Sequence, residues 1–205
     1  MLDHRLRAGL APALERPAGR LARVGFPADL MTAVGLGLGL AGAVALGGGH
    51  SLIALVLFLA GRLADGLDGP VARLSGRMRA PGAVRRGGYV DLGADMIVYI
   101  AYPVALAVGR PGLGTAVVCL LGAYALNLAT LVAASRSGRF DRVHGDGRSL
   151  VFTPGLVEGA ETIAVYSLWT LFPSWSALLL WLLTGAVVIT AVQRLRMMRT
   201  VPTRL

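Results

Sequence analysis

Four aspartates are the residues of this chain whose type and spacing point most directly to chemistry. They lie in two short stretches, Asp65-Gly-Leu-Asp68 and Asp91-Leu-Gly-Ala-Asp95, and each stretch borders a strongly apolar segment. Two like charges about 4 Å apart repel by about 4 kcal/mol at an effective dielectric constant of about 20. Four carboxylates near a membrane therefore predict a bound positive charge, and oxygen ligands without His or Cys favour Mg²⁺ or Mn²⁺.

Helical spacing predicts that these acids form one site. Asp65 and Asp68 share a helix face because they are three positions apart, and Asp91 and Asp95 share another at an interval of four. If the two helices are antiparallel neighbours, the two pairs of carboxylates face each other. Small residues beside the acids leave room for a bulky substrate to approach the backbone. They are Gly69, Ala72, Gly87 and Gly88.

The two stretches resemble the motif of the CDP-alcohol phosphotransferase family, D-x-x-D-G-x-x-A-R followed by G-x-x-x-D-x-x-x-D. The chain matches every position that this motif specifies, which makes the resemblance specific. These positions are Asp65, Asp68, Gly69, Ala72, Arg73, Gly87, Asp91 and Asp95. One departure is the connection between the two halves, which runs from Leu74 to Arg86 and is longer than usual in the family. It ends in Val84-Arg85-Arg86, where family members often carry a Ser or Thr that touches the diphosphate.

The resemblance implies a reaction and a role for each acid. In this family an alcohol attacks the β-phosphate of a CDP-linked lipid, and CMP leaves. Two divalent ions, Mg²⁺ or Mn²⁺, are the implied cofactors. Their implied ligands are Asp65, Asp68, Asp91 and Asp95, and Asp95 is also the implied base for the acceptor hydroxyl.

The resemblance also implies where the CDP-lipid binds. Arg73 is expected at the nucleotide diphosphate, and Gly69 is expected to allow its close approach. Asp29 and Thr32 correspond to a Pro-[Asp/Asn]-x-x-Thr element with one extra residue after Pro27. An alternative role for Asp29 is that of a helix N-cap. The residues implied at the CDP-lipid are Asp29, Thr32, Gly69, Ala72, Arg73 and Gly87.

The composition is that of a membrane protein. The chain has 205 residues, of which 55% are hydrophobic, and its mean hydropathy is +0.66. Six stretches approach the ~20 residues that span a bilayer as a helix. They are residues 30–49, 51–70, 88–108, 112–135, 154–172 and 174–193. The fold class predicted is therefore all-α, a polytopic membrane protein with six transmembrane helices and a single domain over residues 1–205, in which residues 30–193 form the bundle.

The net charge of +9 comes from arginine, and its distribution argues against nucleic-acid binding. Arginines cluster before the first apolar stretch, at residues 73–86, at residues 136–148 and at the end of the chain. Basic connections that alternate with nearly uncharged ones indicate the cytoplasmic side. Both termini and the active site are therefore predicted on the cytoplasmic side of the cell (inner) membrane.

Residues 1–24 are predicted to form an amphipathic interfacial helix. Leucines recur every four residues with arginines between them, which suits a helix lying on the inner membrane surface. These leucines are Leu2, Leu6, Leu10 and Leu14. Pro12 and Pro17 would bend or break such a helix, and an unstructured basic tail is the alternative.

Two groups of charged residues are candidates for binding the acceptor. Four arginines lie in one loop near the acids, and guanidinium suits phosphate geometry. They are Arg136, Arg139, Arg142 and Arg148. The alternative for each is contact with anionic lipid. Glu158 and Glu161 could pair with these arginines, bind acceptor hydroxyls or receive an amino alcohol.

The predicted function is transfer of a phosphatidyl group from CDP-diacylglycerol to a small alcohol. A phosphorylated polyol such as glycerol 3-phosphate or inositol phosphate is favoured as acceptor, ahead of a free or amino alcohol such as inositol, serine or choline. The expected partners are CDP-diacylglycerol, the alcohol and membrane lipids, and the resemblance implies a homodimer. An ion-coupled transporter, which also uses buried acids, and an inactive scaffold of the same fold are the alternatives.

Overall fold

The computed structural model describes residues 14–75, 83–136 and 159–200, and these residues are almost entirely helical. Within the described ranges there is no strand, so the predicted all-α class is confirmed. The helices are α1 (14–23), α2 (Ala28–Gly47), α3 (Ser51–Leu74), α4 (Ala83–Gly109), α5 (Gly114–Arg136), α6 (Gly159–Leu171) and α7 (Ser176–Thr200).

Glycines on α2 bring its backbone into direct contact with α3. A Cβ atom on Gly35 would lie 3.0 Å from the carbonyl oxygen of Gly61, and one on Gly61 would lie 2.8 Å from the carbonyl oxygen of Gly35. One turn from the other end of α2, a Cβ on Gly42 would lie 3.0 Å from the carbonyl oxygen of Ala54. Small residues allow this close approach between membrane helices. The contact fixes the position of the second half of α3 along α2.

Another glycine of α2 fits against α4. A Cβ on Gly39 would lie 2.7 Å from Cγ2 of Val98, closer than real Cβ contacts allow. Because Gly35 borders α3 and a Cβ on Gly39 would meet α4, α2 is held between α3 and α4. This arrangement brings the second half of α3 and the first half of α4 to the same end of the molecule.

The short turns gather at the opposite end. Arg110, between α4 and α5, donates hydrogen bonds to the carbonyl oxygen of Pro173 (3.1 Å) and to Oγ of Ser176 (2.9 Å) in the α6–α7 connection. A Cβ on Gly109 would lie 3.4 Å from the carbonyl oxygen of Gly47, where α2 ends. The three short turns, after Gly47, at Arg110 and at Phe172, therefore share one end of the bundle.

An aromatic cluster forms the centre of the core and joins α3, α4 and α6. The ring centroids of Tyr166 and Trp169 are 4.2 Å apart, and those of Phe58 and Tyr102 are 4.6 Å apart. The hydroxyl of Tyr166 donates a 2.7 Å hydrogen bond to the carbonyl oxygen of Tyr99. The buried hydroxyl thus has a partner, which a phenol in an apolar core requires.

Four segments are long and apolar enough to cross a membrane. They are Asp29–Gly47, Val90–Gly109, Pro111–Ser135 and Pro173–Met198. Helix α3 has 24 residues, but from its midpoint onward it carries Arg62, Asp65, Asp68 and Arg73. The described part of α6 has 13 residues, which span only about 20 Å at 1.5 Å per residue. Membrane crossing is therefore supported for four of the six predicted spans.

Helix α1 packs against the second half of α3. Ala18 is fully buried in an apolar cluster that includes Met31, Ala64 and Val71. The charged residues of α1, Glu15, Arg16, Arg20 and Arg23, are exposed on its other side. Pro17 does not interrupt the helix. The helix is amphipathic, but its apolar face contacts α3, so the predicted interfacial placement stays a prediction, and residues 1–13 lie outside the described residues.

Candidate metal centre at one end of the bundle

Three of the four predicted acids meet where α3 and α4 come together. One carboxylate oxygen from each of Asp65, Asp68 and Asp91 lies within 4.8 Å of the others, and all three residues are half-buried. Asp65 and Asp68 are on one face of α3, and Asp91 projects from α4. The carboxylates of the two helices thus meet at this site, as expected if α3 and α4 run in opposite directions, although α2 packs between these helices over most of their length.

These carboxylates suit a hard divalent cation. At 4.8 Å, each pair of negative charges repels by about 3 kcal/mol at an effective dielectric constant of about 20. Oδ1 of Asp65 is buried and has no hydrogen-bond partner among the described residues. A buried acceptor without a donor is costly, and a metal ion would satisfy it. The donor set and its geometry therefore fit Mg²⁺ or Mn²⁺.

Thr32 contacts this centre from α2. Its Oγ1 donates a 2.7 Å hydrogen bond to Oδ2 of Asp68, and Thr32 is only 8% exposed. A hydrogen bond of this kind fixes the orientation of a ligating carboxylate. Thr32 was predicted at the nucleotide, and the structure shows in addition that it holds Asp68.

Asp29 is not a helix N-cap. The N-cap of α2 is Pro27, whose backbone is extended, and Asp29 lies in the first turn. The helix begins before Asp29 because residue 28, which follows the extended Pro27, already has helical geometry. A carboxylate in the first turn still interacts favourably with the helix dipole.

Asp95 lies one turn after Asp91 and is ion-paired with Arg62. Nη1 of Arg62 donates a hydrogen bond to Oδ1 of Asp95 and lies 3.6 Å from Oδ2 of Asp65. The Arg62 side chain is 5% exposed, and its guanidinium lies 5.5 Å from the ring centroid of Tyr99. Asp95 is outside the three-carboxylate group, and its roles as fourth ligand and base stay predictions.

Sequence reasoning did not single out Arg62 as a site residue. A signal was available, because an arginine inside an apolar stretch is costly unless it is paired. It also lies three positions before Asp65, which places both side chains on one face of α3. The contact between Gly35 and Gly61 was missed as well, although the spacing of Gly35 and Gly39 is typical of close helix packing.

The residues predicted at the nucleotide continue along the same two helices. Gly69, Ala72 and Arg73 lie in the last turns of α3, and Gly87 lies one turn before Asp91 in α4. The Arg73 side chain is exposed, and a Cβ on Gly69 would lie 3.6 Å from its Nη1. The guanidinium therefore lies beside Gly69, near the acids but free to reach an anion.

Most residues predicted at the acceptor lie outside the described residues. These are Arg139, Arg142, Arg148 and Glu158. Arg136 is the last residue of α5, and nothing is described of its side chain. Glu161 lies in the first turn of α6. The acceptor residues remain predictions.

Arg194 belongs to the basic end of the chain and has a structural role. It is 6% exposed and donates hydrogen bonds to the carbonyl oxygen of Asn127 (3.1 Å) and to Oδ1 of Asn127 (2.9 Å). Its Nη1 also lies 3.3 Å from Oγ1 of Thr130. These contacts join α7 to α5, and they show that part of the basic charge serves packing.

A bundle with four helices long and apolar enough to cross a membrane, and three clustered carboxylates that could hold a divalent cation, defines the class of protein to which this chain is compared. A relative in Escherichia coli (strain K12), the inner membrane protein YnjF, is 32% identical over 182 residues, which cover 86% of this chain and 85% of that protein. No family model matches the sequence. The solved structures therefore carry the assignment to a named family.

Two structures of phosphatidylinositol phosphate synthase (PgsA1) from Mycobacterium tuberculosis share the fold. Each has a TM-score of 0.73 and 25% sequence identity, and each covers 94% of this chain. The match covers 98% of the structure with CDP-DAG bound. It covers 93% of the structure in complex with manganese and citrate. The chain belongs to the CDP-alcohol phosphotransferase family, and its enzyme class is that of the CDP-alcohol phosphatidyltransferases.

Proposed function

We propose that this protein transfers a phosphatidyl group from CDP-diacylglycerol to a small alcohol and releases CMP. The observation that carries the proposal is the meeting of Asp65, Asp68 and Asp91 at one end of the bundle. It is supported by the shared fold with a synthase that has CDP-DAG bound. A lipid-anchored nucleotide and a soluble alcohol can both reach a site at the end of a membrane bundle.

The cofactors in this proposal are two Mg²⁺ or Mn²⁺ ions. Asp65, Asp68 and Asp91 hold the first, and Asp95 contributes to the second. Manganese in the related synthase supports the choice of a divalent cation. Ions held by these carboxylates would offset the negative charge that develops on the entering and leaving oxygens.

The remaining roles fall to side chains around the acids. Thr32 orients Asp68 through its hydrogen bond, and Arg73 binds the nucleotide diphosphate beside Gly69. Asp95 accepts the proton of the acceptor hydroxyl. Asp29, Ala72 and Gly87 complete the CDP-lipid site, as the family motif implies.

A phosphorylated polyol is the proposed acceptor. The two related structures are of a phosphatidylinositol phosphate synthase, and the loop arginines of this chain suit a phosphate. These arginines are Arg136, Arg139, Arg142 and Arg148. An acceptor of this class carries one phosphate already, so it needs cationic groups that a free alcohol does not need.

Six membrane crossings follow from the connectivity if the four apolar segments cross. Helices α2 and α4 both run from the metal centre to the end with the short turns, so α3 must return across the membrane. Helices α5 and α7 also start at the same end, near Arg110 and Ser176, so α6 must return between them. This topology, with both termini and the centre on the cytoplasmic side and two copies in the assembly, is part of the proposal.

Product analysis tests the function directly. Purified protein is supplied with CDP-diacylglycerol, Mn²⁺ or Mg²⁺, and one of five alcohols: glycerol 3-phosphate, inositol phosphate, inositol, serine or choline. Mass spectrometry should find CMP and a phosphatidyl product with a phosphorylated polyol, and an Asp91→Asn variant should form neither. CMP and lipid product with an amino alcohol alone would change the acceptor, and no CMP with any alcohol would overturn the proposal.

A further inference from the structure

Arg62 links the carboxylates of two helices at the metal centre. It projects from α3, and its Nη1 donates a hydrogen bond to Asp95 on α4. The same nitrogen lies 3.6 Å from a carboxylate oxygen of Asp65 on α3. The side chain is 5% exposed, whereas that of Asp95 is 25% exposed. A positive charge is thus built into the site by the chain itself.

Only some of the hydrogen-bond donors of the Arg62 guanidinium have a partner in the part of the chain that the structure describes. Nε and Nη2 of Arg62 are buried and have no hydrogen-bond partner among the described residues. Its Cζ lies over the ring of Tyr99, 5.5 Å from the ring centroid. Arg62 is therefore held mainly by electrostatic attraction to two carboxylates and to the aromatic ring, because its hydrogen-bonding capacity is not fully used. A competing cation has only one strong hydrogen bond to replace.

The acids divide into two sets around this charge. Asp65, Asp68 and Asp91 form the compact group, and Nη1 of Arg62 lies 3.6 Å from Oδ2 of Asp65, beyond the distance of a strong hydrogen bond. Asp95 has its Oδ1 bonded to Arg62. A second divalent ion that used Asp95 would meet the guanidinium at that oxygen. Two cations at one carboxylate oxygen repel each other, so each weakens the binding of the other there.

We propose that the Arg62 guanidinium competes with the second divalent ion for Asp95, so that the second ion binds more weakly than the first and displaces Arg62 from Asp95. The inference rests on the proposed function, because it assumes a metal centre at these acids. Arg62 is a positioning residue in this scheme. It holds Asp95 toward α3 until an ion arrives, and it limits how often the second ion is bound.

The charge balance of the centre agrees with this role. Four carboxylates carry four negative charges, and Arg62 together with one divalent ion offsets three of them. With all four carboxylates ionised, the site with one ion therefore keeps one net negative charge before a second ion enters. Since the anionic diphosphate of a CDP-lipid would bring further negative charge, the second ion and the substrate are expected to bind cooperatively.

Direct binding of Mn²⁺ tests the proposal without an activity measurement. Free Mn²⁺ is followed by electron paramagnetic resonance during titration of the wild type, Arg62→Gln, Arg62→Lys and the control Arg110→Gln, whose guanidinium is at the far end of the bundle. The wild type and Arg110→Gln should show one tight and one weaker ion. Arg62→Gln should tighten the second ion by roughly ten- to a hundredfold, because a charged hydrogen bond no longer opposes it. Arg62→Lys keeps the charge and should stay close to the wild type.

The other possible outcomes contradict either the competition by Arg62 or the metal centre itself. If Arg62→Gln leaves both affinities unchanged or weakens the second ion, the competition is refuted while the metal centre stands. If the wild type binds no Mn²⁺, the metal centre of the proposed function fails together with the competition. Should Arg62→Gln not fold, Asp95→Asn provides the test, since it should remove the weaker ion and keep the tight one. Loss of both ions or of neither in Asp95→Asn would overturn the proposal.

Discussion

Thr32 on α2 donates a 2.7 Å hydrogen bond to Oδ2 of Asp68 on α3, across 36 positions of sequence. Because Thr32 is buried, water does not readily replace this donor. The hydrogen bond joins α2 to the carboxylate group, so α2 contributes to the candidate metal centre although it carries none of the three clustered acids.

Removing the Thr32 hydroxyl should weaken metal binding. Thr32→Val keeps the shape of the side chain and leaves Asp68 without its donor, and losses of this kind typically cost about 10- to 100-fold in metal affinity. Mn²⁺ titration by electron paramagnetic resonance measures the effect. Thr32→Ser retains the hydroxyl and is the matched control, with an affinity near that of the wild type. Equal affinities for Thr32→Val and Thr32→Ser would show that the hydrogen bond does not position Asp68.

Gly61→Ala should destabilise the protein and disturb the centre. Its Cβ would lie 2.8 Å from the carbonyl oxygen of Gly35 and 3.1 Å from the amide nitrogen of Gly39, which are backbone atoms that cannot rotate away. Overpacking of this kind costs about 1–3 kcal/mol, which corresponds to a fall of about 2–12 °C in thermal midpoint for a chain of this size. Thermal unfolding in detergent, with and without Mn²⁺, measures it.

The control for this change is Gly37→Ala on α2. No atom outside the local helix lies within 4 Å of the Cβ that it would add, and alanine favours helix over glycine by about 1 kcal/mol. Gly37→Ala should leave the thermal midpoint unchanged or raise it. A similar fall in both variants would mean that the α2–α3 contact is not the cause.

Divalent ions should stabilise the folded protein through the three-carboxylate group. A ligand at a hundred times its dissociation constant stabilises by about 2.7 kcal/mol, so Mn²⁺ should raise the thermal midpoint and a chelator should reverse the rise and abolish activity. Asp68→Asn should lose most of this response, while Arg110→Gln should keep it. A full Mn²⁺ response in Asp68→Asn would place the ion elsewhere.

The class of acceptor can be identified by replacing charged residues one at a time and measuring the KM for the acceptor. If the loop arginines bind an acceptor phosphate, replacing the right one of Arg136, Arg139, Arg142 and Arg148 by Gln should raise the acceptor KM about ten- to a hundredfold and leave the CDP-lipid KM nearly unchanged. Contact with anionic lipid would instead give small, salt-sensitive losses shared by all four.

Glu158→Gln and Glu161→Gln provide the opposing measurement. If these glutamates receive a cationic acceptor, their neutralisation should raise the acceptor KM more than any arginine change does. That result would move the function from a phosphorylated polyol to an amino alcohol. An acceptor KM that is unchanged in both sets of variants would place the acceptor pocket in another part of the chain.

The helical class and the grouping of the acids followed from local periodicity. Asp65 and Asp68 share a face of any helix that contains both. The long apolar stretches predict helices, because a segment that crosses a bilayer must satisfy its own backbone hydrogen bonds. The short turns near His50, Arg110 and Pro173 were readable for the same reason, because they interrupt those stretches. These inferences depend on residues a few positions apart, because helix geometry alone determines the relative directions of their side chains.

Only the tertiary structure decided which distant residues meet. The bond between Arg62 and Asp95 joins residues 33 positions apart, and the contact between Gly35 and Gly61 sets how α2 and α3 lie against each other. Such pairs depend on the rotation and translation of one helix against another, which many side chains determine together. Periodicity shows which face of a helix is distinctive, but close packing determines which neighbour that face contacts.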